Sequence, residues 1–131
     1  MKTRILVVDD ESMIRDMLRQ VFESDGYEVY EASDGMAAQS IYQEEPMDLI
    51  ITDLAMPMKN GLEVIDEVTR CFPQTKIIAM SANASSGSGV DLGAAQSLGA
   101  HRTFPKPFPV RELKSAVKAL LAPLSDHYPI R

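Results

Sequence analysis

Four short apolar runs in this chain end on residues able to do chemistry. Asp9-Asp10 follows Ile5-Leu6-Val7-Val8, Asp53 follows Leu49-Ile50-Ile51-Thr52, Ser81 follows Ile77-Ile78-Ala79-Met80, and Lys106-Pro107 follows a weaker run from Arg102 to Phe104. If the runs are parallel strands, these ends converge on one rim, where the Asp9, Asp10 and Asp53 carboxylates repel strongly unless a cation sits among them. No His or Cys stands beside them, so every donor is an oxygen. Such a set suits a hard ion, and magnesium in particular keeps waters and shares its sphere with phosphate. A carboxylate can attack phosphorus to give an acyl phosphate, which makes Asp53 the candidate nucleophile. Lys106 would then set a compact positive charge against the phosphoryl oxygens, and the Ser81 hydroxyl would donate a hydrogen bond to one of them. Taken singly, an Asp-Asp pair or a Lys-Pro step is ordinary turn chemistry, and a serine after a strand is an ordinary cap. Independent loops rarely place four such signals on one rim.

The elements that must position these residues are readable from the apolar pattern. The β-branched runs are unbroken rather than alternating, as expected of strands covered on both faces. A further short strand is expected at Val29 to Ala32. Between the strands, apolar residues recur at helical spacing. Met13, Ile14, Met17, Leu18, Val21 and Phe22 precede the Asp25-Gly26 stop, and Ala37, Ala38, Ile41 and Tyr42 follow a Ser33-Asp34 cap. Leu62, Ile65 and Val68 mark a third helix ending near Cys71-Phe72-Pro73, and Val110, Leu113, Val117, Leu120 and Leu121 mark the last, ahead of Pro123. The Ser/Gly stretch within Ala84 to Gly93 predicts a mobile loop, with any helix there starting at Val90 or Asp91. Met13, Met17 and Met80 read as core filler, and Met56 as part of the loop after Asp53. Strands alternating with helices predict an α/β fold with a parallel sheet, because each parallel pair needs a crossover. Ligands in such open sheets bind outside the carboxyl ends of the strands.

Composition bounds the rest. At 131 residues, one compact core over residues 1–122 is expected, with 123–131 as a C-terminal tail. A formal charge of −6 without a clustered excess of Lys and Arg argues against nucleic-acid binding. Cys71 is the lone cysteine, no secretory apolar segment opens the chain, and no run approaches the roughly 20 apolar residues of a membrane helix. A cytoplasmic location and no membrane association are therefore expected. His101 and His127 have no ligand or nucleophile at readable spacing, so both are expected to be exposed and without function.

In register, Val8-Asp9-Asp10-Glu11, Thr52-Asp53-Leu54-Ala55-Met56-Pro57, Asn60-Gly61, Ser81-Ala82, Leu98-Gly99-Ala100 and Lys106-Pro107-Phe108 resemble the motifs of two-component response-regulator receiver domains. The resemblance covers about residues 3 to 122. It implies a flavodoxin-like, doubly wound (βα)5 fold with sheet order 2-1-3-4-5. It also implies phosphorylation of Asp53 by a sensor histidine kinase or histidine phosphotransfer protein. Asp10 and Asp53 would coordinate Mg2+ directly, Asp9 largely through water, and the Ala55 backbone carbonyl would complete the protein ligands. A cis Lys106–Pro107 bond is implied and energetically permitted. A downstream protein would bind the face of helix 4, strand 5 and helix 5, the chain being a monomer or a phosphorylation-dependent dimer. The protein would be a regulatory phosphoacceptor rather than an enzyme, catalysing only its own phosphorylation and dephosphorylation.

Two departures qualify the resemblance. The switch position three residues before Lys106, commonly aromatic in the family, is Thr103, which has no ring to bury or expose. The segment between Ser81 and Gly99 is also longer than expected. Three readings remain open: a signalling switch, free-standing or as the input half of a longer regulator; a phosphorelay intermediate; and, of a different class, a magnesium-dependent aspartyl-nucleophile phosphatase. The last needs an acid/base carboxylate two residues beyond the nucleophile, where this chain has Ala55.

Overall fold

Ile5, Leu6, Val7 and Val8 are all fully buried, as an unbroken β-branched run demands when helices cover both faces of its sheet. The computed structural model describes residues 2–56, 58–82 and 90–122. Its elements run β1 (Arg4–Val8), α1 (Ser12–Ser24), β2 (Glu28–Ala32), α2 (Gly35–Glu44), β3 (Leu49–Asp53), α3 (Gly61–Cys71), β4 (Lys76–Ser81), α4 (Val90–Leu98), β5 (Arg102–Pro105) and α5 (Val110–Leu121). All pairings are parallel, in the order β2-β1-β3-β4-β5, which is the flavodoxin-like arrangement. The Lys106–Pro107 bond is cis.

Successive strand residues serve two separate cores. Leu6, Val8, Ile50 and Ala79 pack with Val64, Ile65 and Val68 of α3 and Ala95 of α4. Their neighbours Ile5, Val7, Ile51, Met80 and Phe104 pack with Leu18 and Phe22 of α1 and Leu113 and Val117 of α5. The chain winds from β1 outward to β2, then restarts at β3 and winds the other way. The carboxyl ends of β1 and β3 therefore flank the point where the winding reverses, and a crevice opens there.

Local chemistry sets the helix starts. The Asp34 side chain caps α2 by accepting from Ala37 N–H at 2.8 Å. Asn60 and Glu63 form a reciprocal capping box at α3, at 3.0 and 2.9 Å. No helix among the described residues is long and apolar enough to cross a membrane.

One expectation is corrected. Met80 is fully buried, but Met13 is 84% and Met17 37% exposed, so neither is core filler. The stripe that α1 turns to the sheet runs through Ile14, Leu18, Val21 and Phe22, and each methionine stands one residue earlier, about 100° round the helix. The expected mobile loop falls largely on residues 83–89, and the tail with His127 on 123–131; both lie outside the described residues.

Replacing Met13 and Met17 together by Ser is expected to change unfolding free energy by less than about 1 kcal/mol, against about 3–5 kcal/mol for Phe22→Ala, read from denaturant titrations. A loss above about 2 kcal/mol for the methionine pair would return those side chains to the core.

Candidate functional site

The rim at the winding reversal gathers the acidic residues. Asp9 directly follows β1 and is fully buried, Asp53 ends β3 and is 5% exposed, and Asp10 is exposed beside them. Their carboxylate oxygens lie within 4.8 Å of one another, and among the described residues this is the one group of acids, histidines or cysteines able to hold a metal.

Backbone contacts hold this geometry. Thr52 donates its hydroxyl to the Asp53 carbonyl at 2.9 Å, and Leu54 N–H extends the β3–β4 ladder past Asp53 to the Met80 carbonyl at 3.0 Å. At Gly61, any Cβ would stand 2.3 Å from the Asp53 carbonyl oxygen, so only glycine lets α3 start this close. On the β1 side, Asp9 Oδ1 accepts from Glu11 N–H at 2.9 Å, and Arg15 donates to the Asp9 carbonyl at 2.9 Å.

Lys106 enters from β5. Its N–H donates to the Ser81 carbonyl at 2.9 Å, which ties the ends of β4 and β5 together. Its ammonium, on a side chain only 9% exposed, lies 2.8 Å from Asp9 Oδ2, 3.3 Å from Glu11 Oε1 and 3.5 Å from Asp53 Oδ2. Ser81 is buried and follows Met80, the partner of Asp53 in register, so it stands one step further along the rim. Thr103 is half-buried in β5 opposite Ala79, and Phe104 beside it is buried against the α1 and α5 layer, the alternation expected of a strand.

Electrostatics at the rim are dominated by burial. Burial first, and then the charges of Asp9 and Asp10, push the Asp53 carboxyl up to about 6 from its usual 3.8, against the opposing pull of Lys106 and the Ala55 N–H. Lys106 loses from burial but is held above its ordinary value by Asp9 and Asp53. One ammonium thus faces several carboxylates. A surplus of close, all-oxygen anionic donors, one of them fully buried, fits a hard divalent cation and not a soft or nitrogen-seeking metal.

The structure thus brings Asp9, Asp10, Asp53, Ser81 and Lys106 to one rim, with Ala55 in the loop just beyond Asp53. Sequence reasoning gave Glu11 and Arg15 no role, although both contact the rim. Adjacency to the acid pair was the available signal for Glu11; none existed for Arg15, whose contact is with a backbone carbonyl.

The response regulator receiver domain family model matches residues 5–118. Sporulation initiation phosphotransferase F of Bacillus subtilis is 33% identical over 121 residues, 92% of this chain and 95% of that protein. Among solved structures, response regulator protein TrrA of Thermotoga maritima, determined in complex with Mg(2+)-BeF, is 37% identical, with a TM-score of 0.77 and coverage of 91% of this chain and 99% of that one. A CheY-like receiver domain protein of Methanospirillum hungatei is 28% identical, with a TM-score of 0.84 and coverage of 91% and 93%.

Because its pKa is raised in the folded state, ionised Asp53 opposes folding above about pH 6, and this penalty fades as pH falls toward the unfolded value of 3.8. Asp53→Asn is therefore expected to stabilise the metal-free protein at neutral pH by about 1–3 kcal/mol, with the advantage vanishing in acid. Thermal unfolding in chelator across pH checks this; an unchanged or lower midpoint for the variant at neutral pH would refute it.

Proposed function

The chain belongs to the response regulator receiver domain family, and from that premise we propose that it is a phosphorylation switch of a two-component system, accepting a phosphoryl group on Asp53 in a magnesium-dependent reaction. The carrying observation is the convergence of Asp9, Asp10 and Asp53 within 4.8 Å, with Lys106 reaching into the same cluster. On this reading residues 1–122 form the receiver unit and 123–131 a tail, acting in the cytoplasm.

The donor is a phosphohistidine on a sensor kinase or phosphotransfer protein. A carboxylate oxygen of Asp53 attacks phosphorus, the P–N bond breaks, and the imidazole leaves with a proton as the acyl phosphate forms. Asp10 and Asp53 would hold Mg2+ directly, Asp9 through water and Ala55 through its carbonyl; the ion supplies charge neutralisation at the phosphoryl oxygens. The Mg(2+)-BeF complex of the TrrA relative supports a magnesium site here. Lys106 turns from Asp9 toward the incoming phosphoryl oxygens, and the Ser81 hydroxyl donates to another. Their shift is read by a downstream partner at the face of α4, β5 and α5, without an aromatic side chain at Thr103.

Beside the rim, Glu11, Ile14, Met17, Lys106, Pro107 and Phe108 line a groove of about 490 Å³. Its exposed methionine offers the phosphodonor an adaptable apolar contact next to the nucleophile. The likeness to sporulation initiation phosphotransferase F favours a second reading, an intermediate that passes the phosphoryl group on to another histidine.

Incubation with acetyl phosphate and Mg2+ followed by intact-mass measurement is expected to add one phosphoryl group to the wild type and none to Asp53→Asn. An unmodified wild type, or equal modification of the variant, would overturn the assignment. Adding a dephosphorylated histidine phosphotransfer protein then separates the two readings, since only a relay intermediate loses its phosphoryl group to it.

A further inference from the structure

The loop leading away from Asp53 is gripped by a cluster that the phosphoryl chemistry leaves unused. Between β3 and the Asn60 cap the backbone passes through Met58 at φ 69°, a left-handed conformation that a non-glycine residue keeps only when its surroundings over-determine it. Its neighbour Lys59 is held in two ways. The Lys59 carbonyl rests on Gly35 at the start of α2, where an added Cβ would stand 1.9 Å from that oxygen. Its ammonium reaches Glu67 Oε1 of α3 at 2.5 Å and lies 6.0 Å from the centre of the Tyr42 ring.

The Glu67 carboxylate is fully committed. The oxygen that takes Lys59 also accepts from the Tyr42 hydroxyl, and the other accepts from Gln39 at 3.3 Å. Tyr42 is 3% exposed, and the Lys59 and Glu67 side chains are 15% and 21% exposed. This is a sheltered, shared ion pair that joins the loop to α2 and α3, unlike the solvent-exposed pairs that contribute little. The same loop carries Ala55, whose N–H donates to the Asp53 carboxylate.

We propose that Lys59, clamped by Glu67 and Tyr42, is a positioning residue for the divalent-ion site, setting the loop so that the Ala55 backbone meets Asp53 and the ion. This rests on the magnesium reading above. Sign separates the proposal from its rivals. Losing a nearby positive charge strengthens binding of a dication by Coulomb's law alone, so a weaker ion in Lys59→Met cannot come from charge. A purely structural role lowers the unfolding midpoint and leaves ion affinity alone.

The test is calorimetric titration of Mg2+ into the full chain, with thermal unfolding in chelator run alongside. Lys59→Met is expected to weaken Mg2+ binding about tenfold, the lower end of what losing an orienting contact behind a ligand costs. The uncharged change Tyr42→Phe is expected to weaken it less, in the same direction, and Lys59→Arg, which keeps a charge-assisted bond to Glu67, to stay within about twofold of wild type. Unchanged or tighter binding in Lys59→Met overturns the proposal. If that variant does not fold, unchanged binding in Tyr42→Phe does so instead. Failure of the wild type to take up Mg2+ refutes the magnesium reading itself, independently of any variant.

Discussion

Like charges that cannot move apart govern this molecule. Asp9 and Asp53 are both buried at the ends of adjacent strands, and the parallel register of β1 and β3 gives neither room to retreat. Burial strips them of the water that would screen them, and the low local dielectric amplifies what repulsion remains. Burial first, and the Asp9 and Asp10 charges after it, raise the pKa of Asp53. Lys106 relieves part of the repulsion, yet a single ammonium divided among Asp9, Glu11 and Asp53 satisfies none of them alone.

The surrounding structure keeps the carboxylates where they repel. Two apolar layers clamp the strands from either side, so the sheet cannot relax by twisting the acids apart. Gly61 brings α3 against the Asp53 backbone, and the capping box fixes where that helix begins. On the proposed reading the same repulsion is what phosphorylation exploits: a cation neutralises the carboxylates, and Lys106 is freed for a new anion.

The rim was legible in the sequence because two simple regularities coincide. Unbroken β-branched runs mark strands covered on both faces, and parallel strands deliver the residue after each run to the same edge. Asp9, Asp53 and Ser81 follow from that alone, and Lys106 ends a weaker run at the same edge. The rotational phase of α1 did not, since six apolar residues over so few turns leave the inward stripe undetermined until the sheet selects Leu18 and Phe22 over Met13 and Met17. The grip of Glu67 on Lys59 and Tyr42 was equally hidden, because it depends on how α2 and α3 lie side by side, which no local spacing encodes. His101 was set aside for want of a partner at readable distance, and its partner proves to be a main-chain group.

That partner is the Ile77 N–H, which donates to His101 Nδ1 at 3.1 Å, while His101 N–H donates to the Ile77 carbonyl at 2.8 Å. β4 begins pairing before β5 has straightened out of the turn at Gly99, and an imidazole stands in for the missing carbonyl. Although the residue is exposed overall, burial of the ring first and the Lys76 charge second hold its pKa below the ordinary value, which preserves the neutral, accepting form. A nitrogen that accepts cannot also carry a proton. The outermost strand is therefore hung at its entry from a titratable hook, and acid would loosen the sheet from the end furthest from the carboxylates.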